Sequence, residues 1–131
     1  ARDFEGLQVS NEGATRPLYE HMTERAVEWN TRGNIGLVVG ATAPSELERI
    51  RKVAPEMPIL IPGIGTQGGD LEASIRYGVN SNGLGAVINS SRGIIFASKD
   101  ADFADAARAA TEKLRGEINV EREKLGFRWP S

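Results

Sequence analysis

The chain has 131 residues, 40% of them apolar and 26% charged, with a formal net charge of −2. That balance fits one small globular unit and excludes disorder and a broad basic footprint, so nucleic acid is not an expected partner. The absence of cysteine and the single histidine exclude disulfides, thiolate chemistry and most zinc arrangements. No segment offers the ~20 apolar residues that a membrane span needs. The opening Ala1-Arg2-Asp3-Phe4-Glu5 has neither an initiator methionine nor a signal-peptide layout. A cytoplasmic chain that has been processed, truncated or excised is the expectation.

The first predicted element is a helix near 17–30, with Pro17 in its first turn and Leu18, Met22, Ala26 and Trp29 on one inward face. Arg32-Gly33 supplies a cation and a glycine at its end. The period then changes. Ile35-Gly36-Leu37-Val38-Val39 is a continuous apolar run, as expected of a strand near 35–39 buried on both faces. Thr42 is the expected cap of a helix near 44–54 that turns Leu47, Ile50 and Ala54 inward. A second strand near 58–61 runs into Pro62-Gly63-Ile64-Gly65-Thr66-Gln67-Gly68-Gly69, and Asp70 caps a helix near 70–77 that Gly78 stops. The third strand, near 85–89, is followed by Ser90-Ser91-Arg92-Gly93 and an apolar turn, Ile94-Ile95-Phe96. A long helix near 102–125 closes the chain, with Phe103, Ala106, Ala107, Ala110, Leu114, Ile118 and Leu125 as its buried stripe and Gly126 as its stop.

Strand starts at Ile35, Ile59 and Gly85 are 24 and 26 residues apart, a regular βα repeat that implies α/β architecture with three parallel strands and crossover helices. Parallel strands open their carboxyl ends, and hence their loops, onto one edge. Three strands alone leave two unpaired edges and apolar side chains on both faces, a template for aggregation. A complete (β/α)₈ barrel needs ~250 residues. The 131 residues therefore read as a single segment, the C-terminal part of a (β/α)₈ TIM barrel, that needs a partner half: a separate chain, more of the same chain or a second copy.

Two loops carry the candidate chemistry. Gly63, Gly65, Gly68 and Gly69 let backbone N–H groups approach an anion, the following helix adds its positive end, and Gln67 offers an amide donor. A tight strand-to-helix connection would use the same glycines. Arg92 lies just past the next strand, and a guanidinium suits a phosphate through paired hydrogen bonds. In (β/α)₈ enzymes the loops after the last two strands commonly form such a site. His21 reads as an interface or core-edge residue, Asp70 as a cap rather than a base, Trp29 as core, and Glu117–Lys124 as a solvated helix face. No Ser–His–Asp set, metal cluster or dinucleotide fingerprint is present in the sequence.

These stretches resemble a known family. Pro62-Gly63-Ile64-Gly65-Thr66-Gln67-Gly68-Gly69-Asp70 is similar to the seventh-strand loop of orotidine 5′-phosphate decarboxylases. Asn34–Thr42 resembles the family's sixth strand and Ile88–Ser98 its eighth strand and phosphate loop. Leu18-Tyr19-Glu20-His21 and Glu28-Trp29-Asn30 are similar to its longer bacterial branch. The resemblance runs from Asp3 to Gly126. It implies that Gln67 and Arg92 hold the phosphate of orotidine monophosphate or UMP, helped by backbone N–H groups around Ser91 and Arg92. Pro62, Ile64, Gly65 and Gly68 belong to the loop that walls the substrate. It further implies conversion of orotidine monophosphate to UMP and carbon dioxide in pyrimidine biosynthesis, no metal or organic cofactor, and a homodimer.

The departure is as informative. The family's lysine–aspartate array, with an Asp-x-Lys-x-x-Asp core, belongs to its N-terminal half, and no such pattern occurs in these residues; Lys52, Lys99, Lys113 and Lys124 lie outside any such motif. No catalytic residue is therefore expected in this segment, and the isolated chain is expected to be inactive. The competing readings are a non-catalytic half-barrel that binds phosphate or a partner, and another phosphate-barrel enzyme such as a sugar-phosphate isomerase.

Overall fold

A computed structural model describes residues 7–11, 14–64 and 70–128. The chain opens on an antiparallel hairpin of β1 (Gln8–Asn11) and β2 (Ala14–Pro17), followed by α1 (Leu18–Trp29). Three βα repeats follow: β3 (Leu37–Val38) with α2 (Pro44–Val53), β4 (Ile59–Pro62) with α3 (Leu71–Gly78), and β5 (Ala86–Asn89) with α4 (Ser91–Ile95) and α5 (Phe103–Lys124). The hairpin was not foreseen. Pro17 accordingly sits at the strand–helix boundary in extended backbone (φ −55°, ψ 142°) instead of inside the helix. Arg16 pairs with Glu24 through both terminal guanidinium nitrogens, and His21 Nε2 lies 3.0 Å from the Val9 carbonyl, so two side chains tie the hairpin to α1.

The sheet order is β3-β4-β5, all parallel. Register sets Leu37 beside Ile59 and Ile59 beside Ala86, then Val38 beside Leu60 and Leu60 beside Val87. Ala41 N–H donates to the Pro62 carbonyl at 2.9 Å, carrying the β3–β4 pairing past the two-residue ladder. Side chains alternate across a strand, and here the alternation divides the molecule. Val39, Ile59 and Ile61 point under the helices and are buried with Leu47, Ile50 and Ile64 as the main core. Each such side chain contributes on the order of 1.5–3 kcal/mol. Val38, 71% exposed, Val87, 54% exposed, and Leu60 point the other way. Both faces are apolar, as expected; only one is covered.

The same absence of cover corrects several expectations. Ala26 is buried, but Met22 and Trp29 are 51% and 61% exposed and line an open groove beside β3. Phe103 is 61% exposed and Leu125 also stands open, since α5 packs mainly against α3 and α4; Leu114 alone of its stripe joins the main core. Thr42 does not cap α2: Ala43 holds that place, with Pro44 at the first helical position and no side-chain cap. Gly78 ends α3 from within, and it is glycine for space, since a Cβ would stand 2.5 Å from Ile61 Cδ1. Gly126, at φ +89°, does stop α5: its N–H donates to Glu123 and the Phe127 N–H to Arg122, the paired closure of a left-handed cap.

Arg51 is the least expected part of the frame. It is 9% exposed, and its guanidinium donates to the carbonyls of Ala54, Pro55, Met57 and Gly78, with Gly85 at 3.4 Å. Burial pushes its pKa below the ordinary arginine value, with Glu56 opposing, yet an arginine so placed stays charged. Several acceptors are carbonyls at the ends of α2 and α3, where the helix dipole is negative. Arg51→Met should therefore leave buried carbonyls without donors and lower stability by about 3 kcal/mol, the upper part of the range for an unsatisfied buried group. Urea unfolding of the two chains measures this. Arg51→Lys should recover only part of the loss, because an ammonium cannot reproduce the planar fork.

Candidate functional site

The carboxyl ends of β4 and β5 are held side by side, with Pro62 in register with Asn89. Beyond β4 the chain turns at Gly63, whose φ of +101° few other residues adopt, and then drops Ile64 into the core. Beyond β5, Ser90 is the N-cap residue of α4, without a side-chain cap bond, and Ser91 and Arg92 form its first turn. Gly93 follows, close under Ser90: a Cβ there would meet the Ser90 hydroxyl at 2.7 Å, and the hydroxyl would have to rotate away.

Between the two loops lies a recess of about 130 Å³, lined by Pro62, Gly63 and Ile64 on one side and by Asn89, Ser90, Ser91 and Arg92 on the other. Arg92 is exposed and is the one charged residue among the described lining, which contains no carboxylate. Ser91 Oγ donates to Asn89 Oδ1 at 3.2 Å. The recess thus suits a small anion.

Of the residues singled out in the sequence, Pro62, Ile64, Ser91 and Arg92 meet at this recess. Gly65, Gln67 and Gly68 lie outside the described residues. Asp70 is the N-cap of α3, its Oδ1 accepting from the Ala73 N–H at 3.1 Å. Asn89 was missed: at the end of an apolar run it reads as a strand terminus, and only the register reveals its place beside the glycine loop.

The groove beside β3 is larger, about 440 Å³, and of a different kind. Leu18, Met22, Trp29 and Val38 make it apolar. Its one titratable lining residue, Tyr19, is raised in pKa by burial, against the opposing hydrogen bond from Arg49, so the groove carries no charge at neutral pH. Among the described residues no group of three or more His, Asp or Glu is placed to hold a metal, and no helix is long and apolar enough to cross a membrane.

Comparison with known proteins gives one consistent result. Residues 3–109 match the family described as Orotidine 5′-phosphate decarboxylase / HUMPS. An orotidine 5′-phosphate decarboxylase of Ralstonia nicotianae is 55% identical over 108 residues, covering 82% of this chain and 40% of that protein. One from Halobacterium salinarum is 50% identical over 122 residues, covering 92% of this chain and 45% of that protein. Among solved structures, a Leishmania donovani UMP synthase superposes with a TM-score of 0.77 at 46% identity, over 92% of this chain and 25% of that one. The same organism's OMP decarboxylase gives 0.74 at 43%, over 92% and 43%. The chain spans less than half the length of these relatives. With the match covering most of its residues, the chain belongs to the orotidine 5′-phosphate decarboxylase / HUMPS family.

Proposed function

We propose that this chain is the C-terminal part of an orotidine 5′-phosphate decarboxylase and that it supplies the substrate's phosphate site. The recess between the β4 and β5 loops, with Arg92 as its one described charge, is the observation that carries the reading. In this reading Gln67, Arg92 and Ser91 bind the phosphate of orotidine monophosphate or UMP, and Pro62, Ile64, Gly65 and Gly68 form the loop against the rest of the substrate. The three parallel strands are three of the eight in a TIM barrel, and the uncovered row of Val38, Leu60 and Val87 faces its interior. Three-eighths of a barrel agrees with a chain that spans 40% and 45% of two relatives. The missing N-terminal half-barrel, on the same or a separate chain, is then the partner, and the complete enzyme is a cytoplasmic homodimer.

The chemistry follows from that division. The reacting carboxylate and the lysine–aspartate array belong to the other half, while the phosphate is held here. Binding energy from a group that does not react can be used to orient and desolvate the group that does. The loop after β4, laid against the ligand, would keep water from the reacting end and strengthen its electrostatics.

Arg92→Ala in the complete enzyme should lower kcat/KM for orotidine monophosphate roughly tenfold or more, since a charge-assisted hydrogen bond contributes about 1.5–3 kcal/mol. Steady-state kinetics checks this, and unchanged kinetics would remove Arg92 from the site. The division of labour has its own test. The chain alone should form no UMP, whereas mixing it with an N-terminal half should restore turnover. Turnover by the chain alone would refute the assignment of the chemistry to the other half.

A further inference from the structure

The last residue of β5 carries a side chain that this reading leaves unused. Alternation along β5 puts Asn89 on the same face as Val87, the uncovered one, and the register sets it beside Pro62 where the glycine loop begins. Asn89 also lines the recess. The Ser91 hydroxyl donates to Asn89 Oδ1 at 3.2 Å, which leaves the two N–H donors at the other end of the amide. Ile64 belongs to the buried core and also lines the recess, so the recess reaches from the core side of the β4 loop to the uncovered face of β5. Asn89 stands at that junction.

We propose that Asn89 is a specificity-determining residue of the anion site, its Oδ1 fixing the Ser91 hydroxyl and its Nδ2 donating to a phosphoester oxygen where the ligand leaves the recess. This rests on the reading of the recess as the phosphate site. It divides the work: Arg92 neutralises charge, which any phosphate would satisfy, while Asn89 meets the ester side, which only a phosphate carrying an organic group presents. The carboxamide suits that position because it donates without adding a second charge.

Asn89→Asp in the complete enzyme separates this role from a structural one. The carboxylate has the same shape and still accepts from Ser91, but its other end becomes an anion facing an anion. Competition kinetics should show the inhibition constant of UMP rising roughly tenfold or more, with that of uridine, which lacks the phosphate, and the thermal midpoint unchanged. Asn89→Ala, which removes donor and acceptor together, should weaken UMP in the same direction by a smaller factor. Unchanged UMP inhibition in Asn89→Asp overturns the proposal, as does a parallel loss of uridine affinity. If Asn89→Asp does not fold, unchanged UMP inhibition in Asn89→Ala overturns it instead. Arg92→Ala distinguishes the levels: weak UMP binding there with normal binding in Asn89→Asp sinks only Asn89, whereas normal binding in both sinks the phosphate reading itself.

Discussion

One buried guanidinium holds the end of the sheet opposite the recess. Arg51 gathers carbonyls from the α2–β4 connection and from the end of α3, and reaches the Gly85 carbonyl at 3.4 Å, so a single planar group bridges the approaches to β4 and β5. Strands that start together and run parallel also finish together, and the register from Ile59–Ala86 to Pro62–Asn89 carries that alignment to the other edge. The recess exists because of it. Sliding β5 by one residue would turn Asn89 under the helices and move Ser90 to the bare face, dismantling the β5 wall without altering any side chain in it.

The second constraint is the parity of the strands. A sheet apolar on both faces is stable only when both are covered, and here the helices cover one. Val38, Leu60 and Val87 form a continuous row on the other, and the groove of Met22 and Trp29 extends the apolar surface past the open edge of β3. Exposed apolar area of this extent marks an interaction surface in a native protein. The polar recess opens at the rim of that surface, and the apolar row lies directly beneath it. A ligand held at the rim would lie between this row and whatever covers it.

Much of this organisation was legible in the residues. The 24- and 26-residue spacing of apolar runs placed the strands, because a βα unit has a narrow range of lengths, and the parallel order followed. Asp70 as a cap and Gly126 as a stop were readable because both act through their own backbone turn. What was not legible depends on the rest of the fold. Periodicity names the apolar face of a helix but not whether anything lies against it, so Met22, Trp29 and Phe103 were assigned to a core that does not reach them. Arg51 reads as one more surface arginine, since nothing local announces that two helix ends converge on it. The β1–β2 hairpin escaped because Thr15, Arg16 and Pro17 carry no alternating pattern. Most of the described lining was visible as residue types, Pro62, Gly63 and Ile64 after one strand and Ser91 and Arg92 after the next; the part that came from strand register, Asn89, was not.

Both described walls of the recess hang from one strand pair, β4 and β5, and neither draws on β3 or α1. A site built on adjacent parallel strands keeps its geometry as long as that pair keeps its register, and the pair is pinned from behind by Arg51 and packed from below by Ile59 and Ile61. The recess is therefore assembled from this segment's own contacts. The cover over the bare face is not. The recess therefore stands where the frame is locally complete, and the bare apolar face beside it is the part of the sheet that still needs cover.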